Sequence, residues 1–180
     1  ADREADPEIV ASDLLAQAEH DTEAKVVLIS DSASLLKETE KRLKDQLTKI
    51  DTREVAGSSL KNKKFVKVGN IEEAVDVANE MAPEHLEMQV KNPKKYLKKL
   101  KNYGSLFLGK YSGVVFGDYC SGTNHTLPTG GSARFMGGLS VKDFVKVLTY
   151  QQLQKEGAKK LAGTARKLAS VEGLSAHKKS

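Results

Sequence analysis

Cysteine occurs once in this chain of 180 residues, tryptophan is absent, and aromatic residues make up 6%. One thiol cannot close an intramolecular disulfide, so a reducing compartment such as the cytoplasm is expected. No apolar run approaches the length a bilayer requires, which argues against a membrane-spanning helix. No signal-peptide pattern opens the chain. It begins at Ala1 rather than Met, and ADREADPEIV has no turn or cap before it, so a processed or excised piece is expected. No GxGxxG fingerprint follows a strand, so no residue is assigned to dinucleotide binding. Internal repeats and low-complexity tracts are also missing.

What remains is the composition of a globular protein, 39% hydrophobic and 29% charged, long enough for one domain with a sizeable core. The net charge is +5, with lysines gathered in KNKK (61–64), KNPKKYLKKLK (91–101) and the closing HKKS. Basic clusters attract nucleic acid, yet these lack interleaved aromatics and any zinc-finger or helix-turn-helix spacing. They read as solvated helix faces, with no nucleic-acid partner.

Asp6-Pro7 forms a helix start, and Ile9, Val10, Leu14, Leu15 and Ala18 recur at helical spacing up to His20. KVVLIS (25–30) suits a strand buried on both faces, and residues 32–50 an amphipathic helix with Ser32 at its start. The alternation continues with a strand over 63–70, helices over 71–82 and 92–103, and a strand over 104–109. Strands alternating with helices predict an α/β fold, a parallel doubly wound sheet with flanking helices. Residues 110–138 are rich in Gly, Ser and Thr without sustained periodicity and read as a long functional loop. Helices over 140–155 and 156–171 follow, which divides the chain into an α/β part, 1–138, and a helical segment, 139–180.

The histidines stand at positions 20, 85, 125 and 177, each beside other polar groups. Gln17 and His20 continue the apolar stripe of Val10 and Leu14, so polar groups point where a core should be. A helix-terminal His bonded to a backbone carbonyl explains this as well as a pair of metal ligands does. In MAPEHLE (81–87), Pro83 leaves Glu84 and His85 adjacent at an element end. That is the pairing general acid–base chemistry uses, and equally an ordinary helix start with Pro at its first position. In the glycine-rich loop, Asp118 is a possible metal ligand and His125 a substrate contact or base. Gly117, Gly122, Gly130 and Gly131 admit close backbone approach to a ligand without matching a phosphate-loop spacing. Cys120 lies two residues from Asp118, the wrong electrostatic setting for a reactive thiolate, and reads as a bystander.

QAEHD (17–21), APEHLE (82–87), GDYCSGTNHTLPT (117–129) and EGLSAH (172–177), in this order and spacing, resemble the histidinol dehydrogenase family. The resemblance runs over essentially the whole chain. It implies a histidinol dehydrogenase or aldehyde dehydrogenase-like fold with a Gly-rich active-site loop and C-terminal helices. It also implies zinc held by Gln17, His20, Asp118 and His177, with Glu84 and His85 as the catalytic pair. Gln17, His20, His85, Asp118, His125, Glu172 and His177 would contact the substrate. The implied chemistry is two successive oxidations by NAD, from L-histidinol through the aldehyde to L-histidine. His85 would be base toward the hydroxyl, and Glu84 would activate the water that hydrates the aldehyde.

Family members are longer, and this chain begins where their mid-chain strand ends and a helix starts. The absent earlier half carries most of the nicotinamide surface and a substrate-contacting serine. The family is a homodimer whose C-terminal segment completes the neighbour's site, which implies that Glu172 and His177 act in trans. The isolated chain is therefore expected to fold, bind zinc weakly and leave histidinol unoxidised. Two alternatives compete. One is a non-catalytic zinc- or imidazole-binding module without the nicotinamide half. The other is a basic RNA-associated protein, which leaves the four histidines unexplained.

Overall fold

Asp6 and Pro7 start the first helix as their types dictate. α1 spans Pro7–Ala18, the Asp6 carboxylate accepts from the Glu8 N–H at 2.9 Å, and Pro7 occupies the first turn, where no N–H is needed. The helix ends at Ala18, so Gln17 lies on its last turn and His20 in the bend beyond it. β1 (Val27–Ser30) follows, then α2 (Ala33–Leu47), whose Ser32 hydroxyl accepts from Leu35 N at 3.2 Å. The first core joins Ala11, Leu15 and Ala18 of α1 to Val26, Leu43 of α2, Ala56 and Leu60. Ala56 belongs to a short helix, α3 (Arg53–Ser59), which the sequence reading did not assign.

β2 (Lys64–Lys67) pairs in parallel with β1, and α4 (Ile71–Met81) is capped by Asn70, whose side-chain oxygen accepts from Glu73 N. β3 (His85–Met88) and β4 (Ser105–Leu108) form a second parallel pair, with His85 opposite Ser105 and Met88 opposite Leu108. A second core gathers Ile71 and Val75 of α4 with Leu86, Met88, Tyr96, Leu100, Leu106 and Leu108. Because side chains alternate along a strand, Leu86 and Met88 enter this core while His85 and Glu87 face the other way, toward α1.

The computed structural model, which describes residues 1–180, thus gives an α/β fold with two separate parallel strand pairs in place of the expected single doubly wound sheet. The two pairs meet at the first residues. Ala1 N donates to Ile29 O of β1 at 2.9 Å, and the next residue's N–H, at Asp2, donates to Gln89 O just past β3 at 3.1 Å.

Three expected elements differ. The helix over 92–103 is a 3-10 turn at Pro93–Tyr96 followed by turns. Asn79 explains the interruption: its amide donates to Lys99 O at 2.8 Å and its side-chain oxygen accepts from Lys101 N at 2.8 Å, taking backbone groups a continuing helix would use. The loop over 110–138 contains a helix, α5 (Val114–Tyr119), and a 3-10 turn at Ser132–Arg134. The helix over 140–155 shrinks to a 3-10 turn at Val141–Phe144, with Ser140 N bonded to the Asp143 carboxylate at 2.6 Å. The segment beyond that turn, with Val145, Val147, Leu148 and Tyr150 exposed, has no buried face to stabilise a helix.

Contacts divide the chain into a unit of residues 1–143 and a unit of residues 144–180. The second holds α6 (Lys155–Val171) and α7 (Ser175–Lys179), with Ala169 its sole buried residue. No helix is long and apolar enough to cross a membrane. Lys91, Lys95 and Lys99 pair with Glu4 and Glu72 across exposed surface.

Asn79→Ala is expected to lower stability by about 1–2 kcal/mol, because the carbonyl of Lys99 and the N–H of Lys101 lose their partners in a partly solvated setting. Urea unfolding followed by circular dichroism measures this, and an unchanged midpoint would refute it.

Candidate active site

Ala82 ends α4 in the left-handed conformation, φ 49°, with its N–H on Ala78 O at 3.0 Å. A side chain there costs about 1–2 kcal/mol, and Ala82 is buried at 1% exposure, so packing holds the turn. The chain reverses and enters β3 within three residues, which fixes Glu84 and His85 at a strand edge. Gly104 N bonds Pro83 O and Ser105 N bonds Glu84 O, at 3.0 and 2.8 Å. The expected alternative of a helix start at Pro83 is thereby replaced by a strand start.

His85 Nδ1 lies 2.8 Å from Gln17 Oε1. An amide oxygen accepts and does not donate, so Nδ1 carries the proton and Nε2 is left with its lone pair. That Nε2 is buried and has no protein partner. Burial lowers the His85 pKa below the ordinary imidazole value. Glu84 and Asp118 pull it up, and His20 pushes it down. The imidazole is therefore neutral near pH 7, with a free base nitrogen and charges from three elements around it. Its ring centroid lies 6.0 Å from that of Phe107, tilted by 45°.

Asp118 reaches this neighbourhood from α5. A Cβ on the buried Gly117 would stand 2.6 Å from Phe107 Cε1, so glycine is what lets α5 lie against β4. Gly104 has the same role beneath Glu84, since a Cβ there would meet Glu84 O at 2.5 Å. The rest of the glycine-rich segment is pinned at several points. Asn124 Nδ2 donates to Leu139 O, Leu139 N to Thr126 O, and the Arg134 guanidinium to Glu80 O at the end of α4. His125 is exposed between these anchors and makes no side-chain hydrogen bond. Cys120 is free and exposed.

Gln17 on α1 and His85 on β3 are thus in contact, and the charges of Glu84 in the bend before β3, Asp118 on α5 and His20 in the bend after α1 act on His85. Glu172 at the end of α6 and His177 in α7 belong to the second unit, and both are exposed. Sequence reasoning missed a neighbouring polar group. Gln89 Nε2 donates to the Asp13 carboxylate at 2.5 Å and to Glu87 Oε2 at 3.2 Å, which sets the two carboxyls side by side. Burial, then the Asp13 contact, pushes the Glu87 pKa up to about 8, and burial raises Asp13 as well. One proton is therefore shared by the pair at neutral pH. The signal was available: Asp13 precedes Gln17 by one helical turn, and Glu87 follows His85 by one pleat, but only once 85–88 is read as a strand.

No three His, Cys, Asp or Glu side chains stand close enough to hold a metal ion by themselves. The donors that do gather include an amide, Gln17, whose oxygen keeps a second lone pair after bonding His85. Gln17, His20 and Asp118 carry nitrogen and oxygen donors of the kinds a borderline cation accepts.

The histidinol dehydrogenase family model matches residues 1–180. The chain is 42% identical over 177 residues to the histidinol dehydrogenase of Xylella fastidiosa, covering 98% of this chain and 41% of that protein. The Haemophilus influenzae enzyme of the same name is 46% identical over 178 residues, with 99% and 42% covered. The Methanocaldococcus jannaschii enzyme is 44% identical over 177 residues, with 98% and 41% covered. The crystal structure of histidinol dehydrogenase from Elizabethkingia anophelis superposes with a TM-score of 0.96 at 39% identity, over 99% of this chain and 41% of that one. The chain therefore spans about two fifths of the length of these relatives.

Glu87 retains a proton in the folded state between about pH 4.5 and about pH 8 that an unfolded glutamate has lost, so its contribution to stability falls as pH rises through that window. Glu87→Gln cannot titrate. The stability difference, native protein minus variant, is expected to decline steadily across that range in urea unfolding, and a flat difference would refute the shared proton.

Proposed function

The chain belongs to the histidinol dehydrogenase family, and from that membership we propose that it supplies the metal-binding catalytic part of an NAD-dependent, zinc-dependent enzyme that oxidises L-histidinol through the aldehyde to L-histidine. The observation that carries this reading is the unpartnered, buried Nε2 of His85, held in one tautomer by Gln17 with Asp118, His20 and Glu84 close by.

Gln17, His20 and Asp118, with His177, would hold zinc, which supplies a centre that orients the imidazole and amine nitrogens of the substrate. His85 would accept the hydroxyl proton at Nε2, and NAD, when bound, would supply the hydride acceptor for both oxidations. The lowered pKa of His85 favours a free Nε2, and Gln17 holds the ring against rotation. Glu84, in the bend just before β3, would take a proton from the water that adds to the aldehyde. His125 and Glu172 contact the substrate. The glycine-rich segment closes over the bound aldehyde and restrains its escape. Most of the nicotinamide surface lies in protein outside this chain.

A homodimer in which Glu172 and His177 act on the partner's site is favoured by the surface of residues 144–180. Val147, Leu148, Tyr150 and Val171 are each more than three-quarters exposed, an apolar display that a partner chain would cover.

Elemental analysis tests the metal assignment: the chain equilibrated with zinc is expected to take up a divalent ion that Asp118→Ala loses and His85→Asn keeps. In an NAD-competent enzyme containing this chain, His85→Asn is expected to slow histidinol oxidation by about 10²–10⁴-fold. Turnover unchanged by that substitution would refute the base assignment. Binding of zinc and histidinol without oxidation in any assembly would favour a non-catalytic imidazole-binding module.

A further inference from the structure

The polar cluster beside the site repeats the site's own architecture. Asp13 lies on α1 four residues before Gln17, on the same helical face. Glu87 lies on β3 two residues after His85, on the same strand face. The backbone N–H of Val114, at the start of α5 and four residues before Asp118, bears on the Glu87 carboxyl and favours its charged form. Gly113, which precedes that helix, sits against Asp13, since a Cβ there would lie 3.7 Å from Asp13 Oδ1. Each of the three elements that deliver a site residue is therefore tied to the other two, one turn or one pleat away.

Gln89 is the centre of the tie. It is 7% exposed, and its Nε2 bridges both carboxyls while its Oε1 has no partner. Apolar side chains would join these elements at lower desolvation cost, because two half-buried carboxyls and an unpaired, buried amide oxygen are expensive. Hydrogen bonds add what apolar contact lacks, a fixed direction and distance.

We propose that Asp13, Glu87 and Gln89 are positioning residues, a buried carboxyl–amide clamp that sets the mutual placement of Gln17, His85 and Asp118. The clamp touches neither substrate nor metal. It acts through α1, β3 and α5, and its relevance to catalysis rests on the roles proposed above for those three residues. Glu87→Gln preserves it, since the amide can donate to Asp13 while its oxygen accepts from Gln89. Glu87→Ala removes the Glu87 side of the clamp.

The test uses the 180-residue chain and two kinds of measurement. Backbone hydrogen exchange is expected to quicken at least tenfold over Val114–Tyr119 in Glu87→Ala, with α2 unchanged. The Nδ1–H resonance of His85 is expected to lose its protection in the same variant. Glu87→Gln restores both. Zinc affinity follows, falling about tenfold or more in Glu87→Ala and less than about threefold in Glu87→Gln. Should Glu87→Ala not fold, Gln89→Met gives the same comparison, since it removes both Nε2 donations and keeps the length of the side chain. Unmoved exchange at α5 together with an unmoved His85 signal would overturn the clamp, as would a Gln variant as disruptive as Ala. A chain that takes up no zinc in any form counts against the metal reading alone, and the exchange and imidazole signals still decide the clamp.

Discussion

Everything in the candidate site depends on the pleat of β3. Leu86 and Met88 are committed to the second core, where Ile71, Val75, Leu106 and Leu108 receive them. Period-two geometry then leaves His85 and Glu87 no choice but the opposite face. A slip of one residue in the pairing with β4 would bury an imidazole and a carboxylate among aliphatics and expose Leu86 and Met88 to polar groups. Parallel pairing of His85 with Ser105 and Met88 with Leu108 is thus enforced by hydrophobic burial, and the geometry of the candidate site is inherited from it.

That inheritance has a cost, because the face opposite the core is itself covered by α1 and α5. Polar groups there lose water and must find one another. Gln17 answers His85, and Gln89 answers Asp13 and Glu87. Two atoms stay unanswered, His85 Nε2 and Gln89 Oε1. They differ in meaning. The first belongs to a residue whose tautomer is fixed and whose charge is suppressed, the condition of a base awaiting a substrate. The second belongs to a residue already spending both of its donor hydrogens on carboxyls.

Much of the fold was legible because local signals agreed with it. Asp6-Pro7 and Ser32 each mark a helix start by side-chain chemistry, and both caps form; Asn70, read as the end of a strand, caps α4 as well. The misreadings have a common cause, since each depends on contacts distant in sequence. Asn79 interrupts the segment after Asn92 from a separate helix, and Phe107 accommodates α5 through a glycine that composition alone marks as loop. The Val-rich stretch after Phe144 carries helical spacing but no buried face, and spacing does not report which surface lies opposite. In the site, Gln17 and His85 were each suspected from local pattern. Their hydrogen bond, across 68 positions, required the fold. Asp13, Glu87 and Gln89 went unnoticed because ordinary polar residues on a helix and after a histidine raise no local conflict.

The candidate residues also sort by how firmly the fold holds them, and the sorting is chemically sensible on the proposed reading. Gln17, His85 and Asp118 are partly buried on regular elements and Glu84 is partly buried just before β3, whereas His20, His125, Glu172 and His177 are exposed in a bend, a loop or the second unit. A base and the groups that orient it must be in place before the substrate arrives, since misplacement by an ångström is costly in rate. Groups that enclose the substrate must instead move, for a pocket closed from the outset admits nothing. Freezing the second set in advance would remove the route of entry, and loosening the first would leave the His85 lone pair without a fixed direction. The division between a packed polar layer and exposed ligands is therefore what a reaction with a retained aldehyde intermediate requires of a single chain.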